Sequence, residues 1–418
     1  MTTTAAAPAL EVPVASTSRP PVGPYVVFIL LIGASIPWRS KTYYEGGVDS
    51  IVLAKAVLSL VALGLAVLVT FLRPVRPLRA APLILLLCYL ACTMFGAWNT
   101  GYLIPGGVIA MRVLLVAVTV IVLSRVFSPH TLLDSLVAAV GTFVAVGAAT
   151  GIGSLAEGRL AGGIPPLHAN ELASGSAVIM LYCLWRVAAA QDTWVHLAAI
   201  AGASGVLVAT GSRTPLIAMA VASLVVVLHA HAVRMRTLIL GLALAPVALW
   251  VLVGTDLVRS LLFRDQNAER LSTLSNRTIA WQAALAPRDS VWQTWFGGGL
   301  QLKRIEVPGQ FWNVQILDSS WVSVLVQAGM AGLVVCALWV LYSALTTLRS
   351  PARLRALQLT LLVYLTLRGF LESGLFDAST SFILFFTTVM VTPVGSLAPP
   401  GPTTTADQAL APDVVRKL

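Results

Sequence analysis

Ile51–Leu72 reads IVLAKAVLSLVALGLAVLVTFL, and the basic turn Arg73-Pro74-Val75-Arg76-Pro77-Leu78-Arg79 follows at once. A helix of that length rises about 33 Å, enough to cross a hydrocarbon layer about 30 Å thick. Lys55 is its one charged residue. The arginines that follow mark a cytoplasmic end, because cytoplasmic loops hold an excess of Lys and Arg.

The same texture runs through all 418 residues, of which 57% are hydrophobic and only 11% charged. Soluble domains carry about 25% charged residues, so a soluble enzyme, a disordered chain and a fibre are excluded. Runs long enough to span begin with Pro24–Trp38, Ile51–Leu72, Ala81–Ala97, Ile109–Ser124, Thr131–Gly153 and Glu171–Ala190. They continue with Thr193–Thr210, Thr214–Ala232, Thr237–Gly254, Ser319–Leu345, Ala356–Leu371 and Thr380–Leu397. The expected fold is an all-α polytopic membrane protein of about twelve transmembrane helices, with one long extracytoplasmic loop between helices 9 and 10. The first run has neither a basic flank before it nor an A-x-A site after it, so it reads as a retained span.

Charge placement tests that count independently. With the N-terminus inside, the cytoplasmic segments hold thirteen basic residues: Arg19, Arg73, Arg76, Arg79, Arg125, Arg186, Arg234, Arg236, Arg349, Arg353, Arg355, Arg416 and Lys417. The short outer loops hold four, Arg39, Lys41, Arg159 and Arg213. This asymmetry places both termini in the cytoplasm. It also accounts for the formal net charge of +10 without any nucleic-acid partner.

The domain boundaries follow. Residues 1–23 and 398–418, rich in Thr, Ala and Pro, read as disordered cytoplasmic tails. Residues 24–254 form the membrane domain with helices 1–9, 255–317 the extracytoplasmic loop, and 318–397 helices 10–12. The loop carries Arg259, Arg264, Arg270, Arg277, Arg288, Lys303 and Arg304 with Trp281, Trp292, Trp295 and Trp312. Long loops in compact proteins are usually functional, and the tryptophans argue against disorder. Two short interfacial helices are expected there. One runs from Asn276 as N-cap to Pro287, and one opens at Asp289 or Ser290 and closes at Gly297-Gly298-Gly299. Cys88, Cys92, Cys183 and Cys336 all sit in apolar runs with no CxxC or Cys/His grouping, so they read as packing residues.

Three further cations, Lys55, Arg112 and Arg368, fall inside spans, each a few residues from the outer end. Snorkelling to the headgroups accounts for such a placement, and an i,i+4 pair with Glu372 is a second reading for Arg368. Taken with Arg159, Arg213 and the loop arginines, they gather at the outer face. That collection suits an anionic substrate presented there, a lipid-linked phosphate or diphosphate.

Motifs accompany these charges. Arg159-Leu160-Ala161-Gly162 is followed by His168 and Asn170-Glu171-Leu172-Ala173, and Ser212-Arg213-Thr214 opens the eighth span. Arg277-Thr278-Ile279-Ala280-Trp281 precedes Phe296-Gly297-Gly298-Gly299. Asp318-Ser319-Ser320 opens the tenth span, which continues through Leu325, Gly329 and Gly332. In this order they resemble the bacterial O-antigen ligase and polymerase superfamily. That family shows R-x-x-G…N-x-x-A, an S-R-T turn, an R-T-x-x-W helix with F-G-x-G, and H-N-S before L-x-x-x-G-x-x-G. By motif the likeness extends from about Arg159 to Val340.

The resemblance implies a membrane glycosyltransferase of the C type. It would move a glycan from a polyprenyl diphosphate carrier to a hydroxyl of a glycan or glycolipid acceptor in the bilayer, without metal or cofactor. Arg213 and Arg277 match the family's diphosphate-binding positions, where arginine forks stabilise the leaving group. Arg159, His168, Asn170, Arg112, Arg368 and Trp281 are expected substrate contacts. No D-x-D pair or His/Cys cluster marks a metal site.

This chain departs from the family at Asp318, which stands where the family commonly has a histidine proposed as the acceptor's base. An aspartate, with a reference pKa near 3.9, is ionised at pH 7 and accepts a proton in a transition state. Asp-Ser-Ser is equally good helix-capping sequence, and Glu171, Glu372 and Asp377 are reserve bases. Two other classes compete: a transporter or flippase of a lipid-linked sugar, and a peptidoglycan polymerase of the shape, elongation, division and sporulation family. Neither the paired broken helices nor the midplane ionisable groups of the transporter class are visible in the sequence.

The topology makes a direct prediction. A cysteine placed at Ser290, in a chain with its four native cysteines replaced, should react with a membrane-impermeant maleimide in intact cells. Labelling only after permeabilisation would invert the assignment.

Overall fold

A computed structural model describes residues 21–38, 50–189, 193–229, 277–286, 290–307 and 314–392. Seven described helices are long and apolar enough to cross a membrane. They are α2 (Ser50–Thr70), α3 (Ala80–Asn99), α4 (Leu103–Ser124), α5 (Pro129–Thr150), α6 (Ala169–Ala188), α11 (Ser320–Leu348) and α12 (Ala352–Leu371). Four shorter apolar helices join them: α1 (Val22–Ser35), α7 (Thr193–Thr210), α8 (Arg213–His229) and α13 (Thr380–Met390). The protein is therefore a mostly helical, multi-pass membrane protein. The expected ninth span Thr237–Gly254, the first part of the long loop (255–276) and most of both tails lie outside the described residues.

One end of the bundle collects arginines, and hydrogen bonds explain their positions. Arg76 N–H donates to the Arg125 carbonyl (2.7 Å) and the Arg125 Nε–H donates back to the Arg76 carbonyl (3.1 Å), joining the α2–α3 turn to the end of α4. Arg79 donates to the carbonyls of Val389 and Thr392 at the end of α13, where the last carbonyls of a helix lack partners and its dipole favours a cation. Arg186 pairs with Asp134 at 3.4 Å, and Asp134 also accepts from Tyr182 at 2.6 Å.

The interior is held by aromatic packing. Trp339 of α11 is fully buried and meets Phe382, Phe385 and Phe386 of α13, with its closest ring centroid 5.3 Å from Phe385. Those phenylalanines recur at spacings of three and four, so one face of this 11-residue helix is committed to α11.

The fourth span begins six residues before the expected Ile109. Pro105, Gly106 and Gly107 look like a helix breaker, but Pro105 falls in the first turn of α4, where its missing N–H has no partner to lose. Arg112 is consequently not near the end of its helix but about 14 Å along it. It reaches back to donate to the Ala34 carbonyl at 3.4 Å.

Among the described residues between α8 and α11 lie two short helices, α9 (Arg277–Leu285) and α10 (Val291–Phe296). Ser290 caps α10 by accepting from the Gln293 N–H at 3.1 Å. A two-stranded antiparallel hairpin follows, β1 (Arg304–Glu306) with β2 (Val314–Ile316), pairing Arg304 with Ile316.

The segment of α10 and its glycine run is joined to the helix bundle at α3, where Trp292 Nε1 donates to the Phe95 carbonyl (3.3 Å), and at a break in α11. Helix α11 breaks at Gly329, whose φ of 66° and ψ of −164° are non-helical. In an unbroken helix the carbonyls of Val326 and Gln327 would accept from residues 330 and 331. Here they accept from Gly298 (3.0 Å) and Gly299 (2.8 Å) of the glycine run after α10. The fit depends on hydrogen as the side chain. A Cβ on Gly329 would lie 2.4 Å from the Trp295 backbone, one on Gly297 2.5 Å from Gln327, and one on Gly96 of α3 2.4 Å from the Phe296 carbonyl oxygen.

Gly329→Ala should therefore lower stability by at least about 2 kcal/mol through strain at positive φ and backbone overlap. Gly64→Ala in α2, where nothing lies within 4 Å, should leave it unchanged or slightly raised. Thermal unfolding of the two variants in detergent checks this; equal midpoints would contradict the packing described.

Candidate active site

At the end opposite the arginines, the helix ends enclose a cleft of about 1040 Å³. Its walls come from Ser35, Pro37 and Trp38 after α1, the loop before α6, Lys303 beside β1, the start of α11, and the α12–α13 turn. Four carboxylates face the cleft, Glu171, Asp318, Glu372 and Asp377, and Lys303 is the only Lys or Arg among its described lining residues. Hydroxyls of Ser320, Ser323 and Thr380 and the aromatic rings of Trp38, Tyr89 and Phe376 complete the lining. Arg159, Arg112 and Arg368 are instead bonded to groups in or next to the walls.

Asn170 is the hub of one such wall. Its Oδ1 accepts from Arg159 Nη2 (3.1 Å) and from the Ser212 hydroxyl (2.9 Å), while its Nδ2 donates to Glu372 Oε1 (2.8 Å). Arg159 Nε also donates to the Thr210 carbonyl at 3.1 Å. The loop before α6, the α7–α8 turn and the end of α12 are thus joined through one amide. The R-x-x-G, N-x-x-A and S-R-T motifs meet here. Asn170 lines the cleft and Arg159 orients it from the other side.

His168 lines the cleft as the N-cap of α6, its Nδ1 accepting from the Asn170 N–H at 3.4 Å. Arg213 is the first residue of α8, directly after Ser212, and is not among the cleft-lining residues. Arg277 opens α9; its side chain lies outside the described atoms. Trp281 is half-buried on α9 away from the cleft, its indole N–H without a partner among the described residues. Arg368 is 4% exposed and donates to the Ser381 hydroxyl at 2.6 Å, while Glu372 accepts from Asn170. Arg368 lines a pocket of only about 30 Å³, which also touches Glu171. That space is water-sized and does not suit a sugar or diphosphate.

The Asp-Ser-Ser sequence divides its work among three residues. Ser319 is the N-cap of α11, accepting from the Val322 N–H at 3.4 Å. Ser320 N–H and hydroxyl both donate to the Glu372 carbonyl (3.1 and 2.8 Å), and its oxygen accepts from the Leu375 N–H (3.1 Å). Asp318, one residue before the cap, lines the cleft half-buried.

Lys303 was legible only as one of several loop cations, yet it lies inside the cleft wall. Its ammonium is in contact with the Asp377 carboxylate across the cleft. Burial, and then the nearby charges of Arg112 and Lys55, lower the Lys303 pKa to about 7. Asp377 opposes that shift, and the pair is neutral overall whichever partner holds the proton. Among the described residues no group of three or more His, Cys, Asp or Glu is arranged to hold a metal ion.

A family model described as O-antigen ligase matches residues 197–337. The match takes in the S-R-T turn, α9, the glycine run, Asp318 and the break at Gly329, and it places the chain's likeness with the O-antigen ligase and polymerase superfamily. No curated protein matches the chain.

The hub makes a graded prediction. Asn170→Ala strands the hydrogen-bonding groups of Arg159, Ser212 and Glu372 and should cost about 1–3 kcal/mol. His168→Ala loses one long capping contact on an exposed residue and should cost no more than about 0.5 kcal/mol. Unfolding midpoints of the two variants rank them; equal losses would remove Asn170 from its central place.

Proposed function

From the match over residues 197–337 and the carboxylate-lined cleft, we propose that this protein is a membrane glycosyltransferase of cell-surface polysaccharide assembly. It transfers a glycan from a polyprenyl diphosphate carrier to an acceptor hydroxyl, as a ligase or polymerase, at the outer face of the cytoplasmic membrane. The proposal carries about twelve spans, both termini inside and residues 255–317 outside. The single observation behind it is the position of Asp318, which lies in the cleft wall at the family's histidine position while Ser319 does the capping.

In the proposed step the acceptor hydroxyl attacks the anomeric carbon of the donor sugar. The bond from that carbon to the diphosphate oxygen breaks, its electrons leave with the carrier diphosphate, and the hydroxyl proton passes to Asp318. Carboxylates and serine hydroxyls accept and donate to sugar hydroxyls, and the flat faces of Trp38 and Tyr89 suit the apolar faces of sugar rings. Arg213 and Arg277 take the diphosphate by the resemblance. Arg213 follows Ser212, so a carrier extending past Asn170 would meet it. A transporter would leave the broken helix open to its substrate, whereas the carbonyls freed at Gly329 are taken by Gly298 and Gly299.

Asp318→Asn keeps size and polarity while removing the proton acceptor. Turnover by the purified variant on a polyprenyl diphosphate glycan and acceptor should fall by about 10² to 10⁴, with unfolding and donor binding unchanged. Normal turnover would remove Asp318 as the base and direct attention to Glu171, Glu372 and Asp377.

A further inference from the structure

The cleft is lined by the carboxylates of Glu171, Asp318, Glu372 and Asp377, and Glu372 is already engaged by Asn170. Lys303 is the only Lys or Arg among its described lining residues, with Arg112 and Lys55 close enough to act on it electrostatically. Arg112 is also tied by its guanidinium to the Ala34 carbonyl, immediately behind Ser35 of the cleft wall. Backbone bonds fix Lys303 in position: its N–H donates to the Gln301 carbonyl (2.9 Å), and its carbonyl accepts from the Leu317 N–H (3.1 Å), one residue before Asp318. The ammonium and Asp318 are therefore carried on one rigid piece of backbone.

We propose that Lys303 is a further phosphate-binding residue, in the cleft wall itself, and that Asp377 holds its ammonium in place until the phosphate group of the donor replaces it. A diphosphate among four carboxylates needs a cation beside it, and Lys303 is the only Lys or Arg among the described lining residues. The exchange is one of partners, with no bond made or broken: the ammonium passes from a carboxylate to a phosphate oxygen, and both are acceptors it serves equally well. Asp377 is suited to the placeholder's part. Its Oδ1 also accepts from the Ala378 N–H at 2.8 Å, so the carboxylate keeps a partner when the lysine turns away. The arrangement sets the leaving group at the base of the hairpin, where the chain also carries the proposed base. This inference rests on the transferase reading above but names a cation that the motif match does not assign.

Binding by the full chain in phosphatidylcholine nanodiscs tests it, with polyprenyl diphosphate, polyprenol and inorganic pyrophosphate as probes. The expected result is opposite effects from the two members of the pair. Lys303→Gln weakens polyprenyl diphosphate binding by about tenfold or more. Asp377→Asn, which removes the competitor, tightens it by roughly threefold or more. Lys303→Arg keeps it, and none of the three changes polyprenol binding. Competition by pyrophosphate that also depends on Lys303 would support recognition of the phosphate itself, and its absence together with Lys303-dependent carrier binding would support recognition of the lipid-linked form.

Weakening by both Lys303→Gln and Asp377→Asn would show a merely structural pair and overturn the proposal. So would wild-type affinity in Lys303→Gln. Should Lys303→Gln not fold, Asp377→Asn decides alone: tighter binding supports the proposal, unchanged or weaker binding overturns it. Failure of the wild-type chain to bind polyprenyl diphosphate at all would overturn the transferase reading and this inference with it, whereas binding indifferent to Lys303 overturns this inference only.

Discussion

Two backbone hydrogen bonds join the glycine run after α10 to the broken helix α11: Gly298 to Val326 and Gly299 to Gln327. Hydrocarbon offers a broken helix no water, so each carbonyl released at Gly329 needs a partner from the chain itself. The glycine run supplies these partners, and in doing so fixes the segment that leads to Lys303, the hairpin and Asp318. Gln327 reinforces the joint from the other side, donating to the Leu302 carbonyl at 2.9 Å. Breaking the helix therefore serves the cleft, because it lets α11 and the segment between α10 and α11 share one wall.

The second constraint is electrostatic. Arginines at a membrane site for anionic substrates would ordinarily be expected to point into it, but Arg159, Arg112 and Arg368 spend their donors on Asn170, a helix-end carbonyl and a serine. Their work is to orient polar side chains in a low-dielectric setting where an unpaired group is costly. That leaves the cleft surface to carboxylates and hydroxyls, a lining suited to sugar hydroxyls and to the removal of a proton. Among the described lining residues, Lys303 is the only Lys or Arg.

Much of this was legible in the sequence, and the failures have identifiable causes. Length and apolarity located α2, and turn chemistry located α9 and α10, because Ser290 and the glycine run act locally. The start of α4 was misread because Pro105 suits a first turn as well as it breaks an interior one. The break at Gly329 was invisible, since small residues spaced along a span also read as close helix packing. The site followed the same division. Asp318 and Asn170, both singled out from the family motifs, line the cleft. Their partners were not legible, because the contacts with Glu372 and Ser212 join residues 202 and 42 positions apart. Lys303 had no local signal separating it from the other loop cations.

The central claim is that this cleft parts a glycan from its lipid carrier. The most direct measurement uses purified protein in vesicles, with a polyprenyl diphosphate glycan labelled separately in the sugar and in the lipid, and an acceptor glycan supplied. The account predicts that the sugar label passes to the acceptor while free carrier diphosphate appears in equal amount. Recovery of the donor intact, moved from one leaflet to the other with both labels together, would contradict it.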